Sequence, residues 1–213
     1  MRDDWLKFLG FWIFQMLWVW IVSLPLTFLN GVSGDTPLRA NDIIGFILSF
    51  TGILLEAVAD QTKMTFKQDQ RNRGKWCDVG VWRYSRHPNY FGELIMWWGV
   101  FISCSSMFNE HLWAYFTIAS PLFTHMILFG LSGLPLLETQ ANKRYGTQEQ
   151  YLTYRKETSI LIPLPNSLYS ALPDTVKAVC LFEWQIYAEG LSVALPHNAS
   201  DSKLDASVPF NRS

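Results

Sequence analysis

From Phe8 to Leu29 the chain carries no charged side chain over 22 residues. At about 1.5 Å per residue such a run covers a hydrocarbon layer of about 30 Å. A cleaved signal peptide is disfavoured: the run is too long, Asp3 and Asp4 sit beside Arg2, and no small-x-small cleavage site follows cleanly. Further runs extend from Ile43 to Ala59, broken late by Glu56, from Pro88 to Met107, broken by Glu93, and from His111 to Leu137, free of Lys, Arg, Asp and Glu. Each alone would suit a buried core helix, but together with such short links they read as membrane helices. The expected fold class is all-α: a polytopic membrane helix bundle with about four spans plus short cytoplasmic amphipathic helices.

Charge supports this. Only 16% of residues are Asp, Glu, Lys or Arg, against about 25% in soluble domains. The net charge of −1 gives no field to attract nucleic acid. Cys77, Cys104 and Cys180 are too scattered for a disulfide framework or a zinc site. Residues 61–87 carry Lys63, Lys67, Arg71, Arg73, Lys75, Arg83 and Arg86 against Asp69 and Asp78, and residues 138–158 carry Lys143, Arg144, Arg155 and Lys156. The other two links, 30–42 and 108–110, hold one basic residue between them, Arg39. Basic segments stay cytoplasmic, and both fall on one side if every run spans. Trp5, Trp76, Trp82 and Trp113 lie near span ends, where indoles favour the interface. Residues 1–165 therefore read as a membrane domain. Residues 166–213 read as a polar cytoplasmic tail with at most a short surface helix over Thr175–Leu195 and disorder from residue 197. The Asn198-Ala199-Ser200 sequon would face the cytosol unused.

Ionisable groups within spans are costly and face cavities or partners. Glu56 and Asp60, four apart, share a helix face, as do Asn89 and Glu93. His125, alone in the fourth run, reads as a satisfied core group. In Trp82-Arg83-Tyr84-Ser85-Arg86-His87-Pro88-Asn89-Tyr90-Phe91-Gly92-Glu93, Pro88 suits the first helical turn. Arg83, Arg86 and His87 then cluster at a helix N-terminus, a natural anion site. A lipid-headgroup contact explains those charges equally well, but not Asn89 and Glu93 turned inward beyond them. Glu138, Asn142 and Tyr145 follow at i, i+4 and i+7, then Tyr151, Tyr154 and Arg155. Spacing alone leaves this stretch either an interfacial amphipathic helix or a binding element. There is no Gly-x-Gly-x-x-Gly, Walker loop or His/Cys metal cluster, so any nucleotide must be held by side chains between helices.

Gly52 through Asp60, Trp82 through Glu93, Leu136-Leu137-Glu138, Tyr151-x-x-Tyr154 and Ile162-Pro163 together resemble the C-terminal catalytic region of the steroid 5-alpha-reductase family, closest to its branch of small uncharacterised membrane proteins. The resemblance spans roughly residues 8–165. It implies a bundle that binds NADPH from the cytoplasm, in the endoplasmic reticulum membrane, and reduces a carbon–carbon double bond conjugated to a carbonyl in a lipid-like substrate. It assigns cofactor contact to Asn89 and Glu93, with Tyr90 between them, to Asp60, to Lys67 where the family often has Arg, and to the Glu138, Asn142 and Tyr154 region. Arg86 and His87 match the uncharacterised branch rather than the steroid enzymes, and Arg83 belongs to the same basic lip. The family has further helices before Phe8 that carry the substrate-binding Glu and Tyr, and residues 1–30 match none of them. The expectation is an N-terminally shortened chain, impaired for want of its proton donor.

Two other readings stand beside it. Isoprenylcysteine and phospholipid methyltransferases share an Arg-His-Pro-x-Tyr-x-Gly-like stretch and a later Glu with Tyr-x-x-Tyr, and use S-adenosylmethionine. A non-catalytic membrane protein could keep only the shell of the cofactor pocket. The seven basic residues of 61–87 favour a phosphate-bearing cofactor.

Overall fold

The computed structural model describes residues 4–31, 37–108, 112–131 and 133–191. The Asn198 sequon, the stretch from residue 197 and His111 lie outside them. The helices are α1 (Trp5–Val22), α2 (Leu24–Gly31), α3 (Ala40–Gln68), α4 (Pro88–Cys104), α5 (Ala119–Met126), α6 (Leu134–Tyr145), α7 (Glu149–Glu157), α8 (Asn166–Ala171) and α9 (Asp174–Cys180), with short 3-10 turns between them. Among the described residues there is no strand, only an isolated parallel bridge between Ser85 and Ser159. The fold is the expected all-α membrane bundle.

Among the described residues, three segments are long and apolar enough to cross a membrane: Trp5–Val22, Ala40–Gln68 and Leu112–Tyr145. Their outer faces are bare of protein. Phe8, Trp12, Met16 and Trp20 of α1 and Phe46, Phe50, Ile53 and Leu54 of α3 are all exposed. So much apolar surface is stable only against lipid or a partner. Sequence and structure differ at the ends of the runs. α3 continues past Ala59 to Gln68, because nothing between Asp60 and Gln68 breaks a helix, so Lys63 and Lys67 ride on its last turns rather than in a loop. The third run stops early. α4 ends at Cys104 after 17 residues, where the Ser105 and Ser106 hydroxyls donate to the Ile102 and Ser103 carbonyls (2.6 and 3.0 Å) and compete with helix continuation. The fourth run is not one smooth helix. It begins as a 3-10 segment, Leu112–Ile118, becomes α5, and loosens into a π turn at Ile127–Leu131. Beyond Gly133 it resumes as α6, past the expected end at Leu137.

The antiparallel pair α3–α4 is the spine. Its backbones touch at glycines. A Cβ on Gly52 would lie 2.5 Å from the Gly92 carbonyl oxygen, and one on Gly99 would lie 2.5 Å from the Ser49 nitrogen. Small residues permit this approach where lipid offers no hydrophobic drive to association. Ser49 donates to the Met96 carbonyl at 3.2 Å, and the Arg39 guanidinium donates to the Ser106 carbonyl at the far end. At the near end the Trp82 indole donates to the Ala59 carbonyl at 2.8 Å, which pins the connection between the two helices.

The segment after Pro165 forms α8, α9 and a 3-10 turn at Gln185–Ala188. It is more than surface decoration. Tyr169 and Tyr187 are fully buried, and Asn142 of α6 donates to the Tyr187 and Glu189 carbonyls at 2.9 and 2.8 Å.

Candidate functional site

The bend between Trp82 and Pro88 is built by pairing with Ser159–Leu164. Arg86 N–H donates to the Ser159 carbonyl (2.8 Å), Leu164 N–H to the Tyr84 carbonyl (3.1 Å), and the buried Ser85 hydroxyl to the Leu161 carbonyl (2.7 Å). This clamp turns Arg86 and His87 inward just before Pro88 opens α4. From the other side α6 presents Glu138 and Asn142 on one face, as their spacing predicts, but that face is buried rather than interfacial. Burying these groups requires partners, and the partners are present. Glu138 accepts from His87 Nε2 at 2.8 Å and from Arg155 at 2.7 Å, with Arg86 at 3.4 Å. Arg86 reaches Glu183 at 2.6 Å, and Tyr169 donates to the same carboxylate at 3.0 Å. Arg155 also donates to Asn142 Oδ1 (2.9 Å) and the Tyr187 carbonyl (2.7 Å). Two arginines thus face two carboxylates. Burial opposes the charge of Arg86, but Glu138 and Glu183 outweigh it and hold its guanidinium above the ordinary value.

Burial also dominates at His87, where it depresses the imidazole pKa below its ordinary 6.5 despite Glu138 and leaves the ring neutral. Its contact with Glu138 is therefore a hydrogen bond from Nε2–H, and Tyr90 stacks on the ring at 5.6 Å. Below pH 6.5 the unfolded chain binds a proton on this group that the folded chain refuses. Its contribution to stability is complete above that pH and declines as pH falls through it. Thermal melts in detergent are expected to show a loss of stability between about pH 7 and pH 5 that is smaller in His87→Phe. Identical pH profiles would remove His87 as the cause.

Beside this network lies a cleft of about 250 Å³. Arg86, His87 and Glu138 form its inner wall, and Lys63, Lys67, Lys75 and Arg144 surround it. Trp76, Trp82, Tyr145, Tyr151 and Tyr154 supply its flat surfaces. Lys63 sits 4.3 Å over the Trp82 ring, and Tyr154 donates to the Trp82 carbonyl at 2.7 Å. Burial pushes the Tyr151 hydroxyl up to about 12 and raises the Cys77 thiol, so both stay protonated at neutral pH. Among the described residues, Lys63, Lys67, Lys75 and Arg144 make no ion pair. The buried Trp76 Nε1 and Arg86 Nε donors find no acceptor among the described residues.

Of the residues singled out in the sequence, the structure brings Lys67, Arg86, His87, Glu138 and Tyr154 to this cleft. Asn142 stands behind it in the network, and Tyr90 touches it through His87. Arg83 is exposed and off the cleft wall. Asp60, Asn89 and Glu93 form a separate group on the α3–α4 seam, where Asn89 donates to Asp60 at 3.0 Å and its buried Oδ1 has no donor among the described residues. Arg86 also differs from expectation. It is not a free anion clamp, because Glu138 and Glu183 already engage it. Arg155 stood in the sequence beside Tyr151 and Tyr154, but nothing there marked it as a partner of Glu138. Glu183, 97 residues from Arg86, gave no local signal.

The fold and site define a helical membrane protein with a cation-rimmed, aromatic cleft at the mouth of its central helix pair. Residues 1–158 match the family described as protein of unknown function (DUF1295), and the chain belongs to that family. Searches among curated proteins and solved structures find no match.

Proposed function

We propose that the chain is a membrane oxidoreductase of the steroid 5-alpha-reductase type, which uses NADPH to reduce a carbon–carbon double bond conjugated to a carbonyl in a lipid-like substrate. The observation that carries this reading is the set of four cations without ion-pair partners, Lys63, Lys67, Lys75 and Arg144, around a cleft whose single carboxylate, Glu138, is already neutralised by Arg86 and Arg155. Such a cleft is complementary to a polyanion carrying flat rings. The residues fit the cofactor. Lysines and Arg144 suit its phosphates, the indole and phenol rings suit its bases, and the unsatisfied donors of Trp76 and Arg86 suit its oxygens. NADPH, when bound, supplies a hydride. The chain supplies position: Glu138 holds His87 at the wall, and the Trp82 carbonyl holds Tyr154 there. Asp60, Asn89 and Glu93 lie along the seam where the resemblance assigns further cofactor contact. The basic rim would face the cytoplasm, in the endoplasmic reticulum membrane.

The engagement of Arg86 by Glu183 favours a second reading, because an arginine so committed is less able to clamp phosphate. Methyl transfer from S-adenosylmethionine, which has no phosphate, does not need it. Titration of the detergent-solubilised protein with each compound separates the two, since Trp76 and Trp82 line the cleft and report occupancy by fluorescence quenching. Saturable quenching by NADPH is expected, weakened about tenfold by Lys67→Ala or Arg144→Ala and unchanged in Arg83→Ala. Quenching by the methyl donor alone would establish the second reading, and no response to either would leave a non-catalytic membrane protein.

A further inference from the structure

A second cavity, of about 280 Å³, lies away from the cationic cleft, between α3, α4, α5 and the chain that follows α7. Phe91, Leu94 and Ile95 of α4 and Leu161 and Phe182 give it an apolar wall. Its polar atoms are few: of the lining side chains, only His125 and Trp98 carry any. His125 is fixed between rings, stacked on Phe129 at 5.7 Å with an interplanar angle of 2° and edge-on to Trp98 at 6.0 Å. Its Nδ1 lies 2.8 Å from the Pro121 carbonyl oxygen. A carbonyl only accepts, so in the neutral ring Nδ1 carries the hydrogen and Nε2 presents a lone pair. Among the described residues nothing donates to Nε2. The ring is thus not the fully satisfied core group that its sequence context suggests.

We infer that this cavity binds a hydroxyl-bearing lipid, whose apolar body fills the α4–α5 pocket and whose hydroxyl donates to His125 Nε2. The complementarity is specific. An acceptor-only head group finds no donor at Nε2, and a charged head group finds no counter-ion on an apolar wall. Phe182 lines the cavity from the segment after α9 and holds a backbone φ of 60°, a left-handed conformation rare for a bulky residue. The site is independent of what occupies the cationic cleft.

Decanol and its isomer nonyl methyl ether have the same atoms, but only the alcohol donates a hydrogen bond. In lipid nanodiscs carrying the full chain, decanol is expected to bind several-fold, about 3–10-fold, more tightly than the ether. His125→Phe, which keeps the ring stack, is expected to abolish the preference while leaving NADPH quenching unchanged. In the unaltered protein with isotope-labelled histidine nitrogens, the His125 Nε2 resonance is expected to shift with decanol and not with the ether. Equal affinity for the two isomers, a preference that survives His125→Phe, or a stationary Nε2 resonance would each overturn the inference. The last measurement needs no variant and holds even if His125→Phe fails to fold.

Discussion

Glu138→Leu destabilises the folded chain by about 3–5 kcal/mol, because it leaves His87 buried without its acceptor, takes from Arg155 its nearest carboxylate, and leaves Arg86 with Glu183 alone. Removal of one partner of a buried ionic group costs more than the group contributes when intact, since the remaining charge cannot reach water. Glu138→Gln should cost less, because the amide oxygen still accepts one hydrogen bond. The check is a thermal melt of both variants in the same detergent. If Glu138→Leu melts like the parent, the network is not the keystone of the bundle.

The second large effect is expected at Gly52→Val. The new side chain would start 2.5 Å from the Gly92 carbonyl oxygen and 2.6 Å from the Met96 nitrogen. Both are backbone atoms, with no rotamer to move aside, so α3 and α4 must separate along the spine. Overpacking of a core typically costs about 1–3 kcal/mol, and a contact between two backbones sits at or above the top of that range. Gly10→Val provides the control, because nothing lies within 4 Å of a Cβ at that position. Size-exclusion profiles should show Gly52→Val aggregated or unfolded and Gly10→Val unchanged. A monodisperse Gly52→Val protein would mean that the pair tolerates a wider spacing.

The helical membrane architecture was legible because uncharged runs of this length have few other uses. Their ends were less so. Lys63 and Lys67 read as loop by charge, yet nothing in Asp60–Gln68 disfavours helix. The end of the third run depended on where two serines found carbonyls. In the site, the four-residue spacing of Glu138 and Asn142 placed both on one face of α6, whereas the contact of Asn89 with Asp60 joins two helices and follows from no spacing. Burial was not legible. Arg86 in a basic cluster reads as an anion clamp until Glu183, far along the chain, is seen to occupy it. Four cations around one cleft came from three separate elements, a convergence that no spacing rule contains.

Family likeness ends at residue 158, yet the buried charges do not balance there. Glu183 completes the pairing of Arg86, and Gly190, at a φ of 88°, folds the chain tightly against Lys143 and Thr139 of α6. The heritable unit and the folding unit of this protein therefore have different borders. A shortened version trimmed to the recognisable domain would expose two tyrosine-lined hollows and strip a guanidinium of its counterweight. Expression work is better served by a cut beyond Gly190.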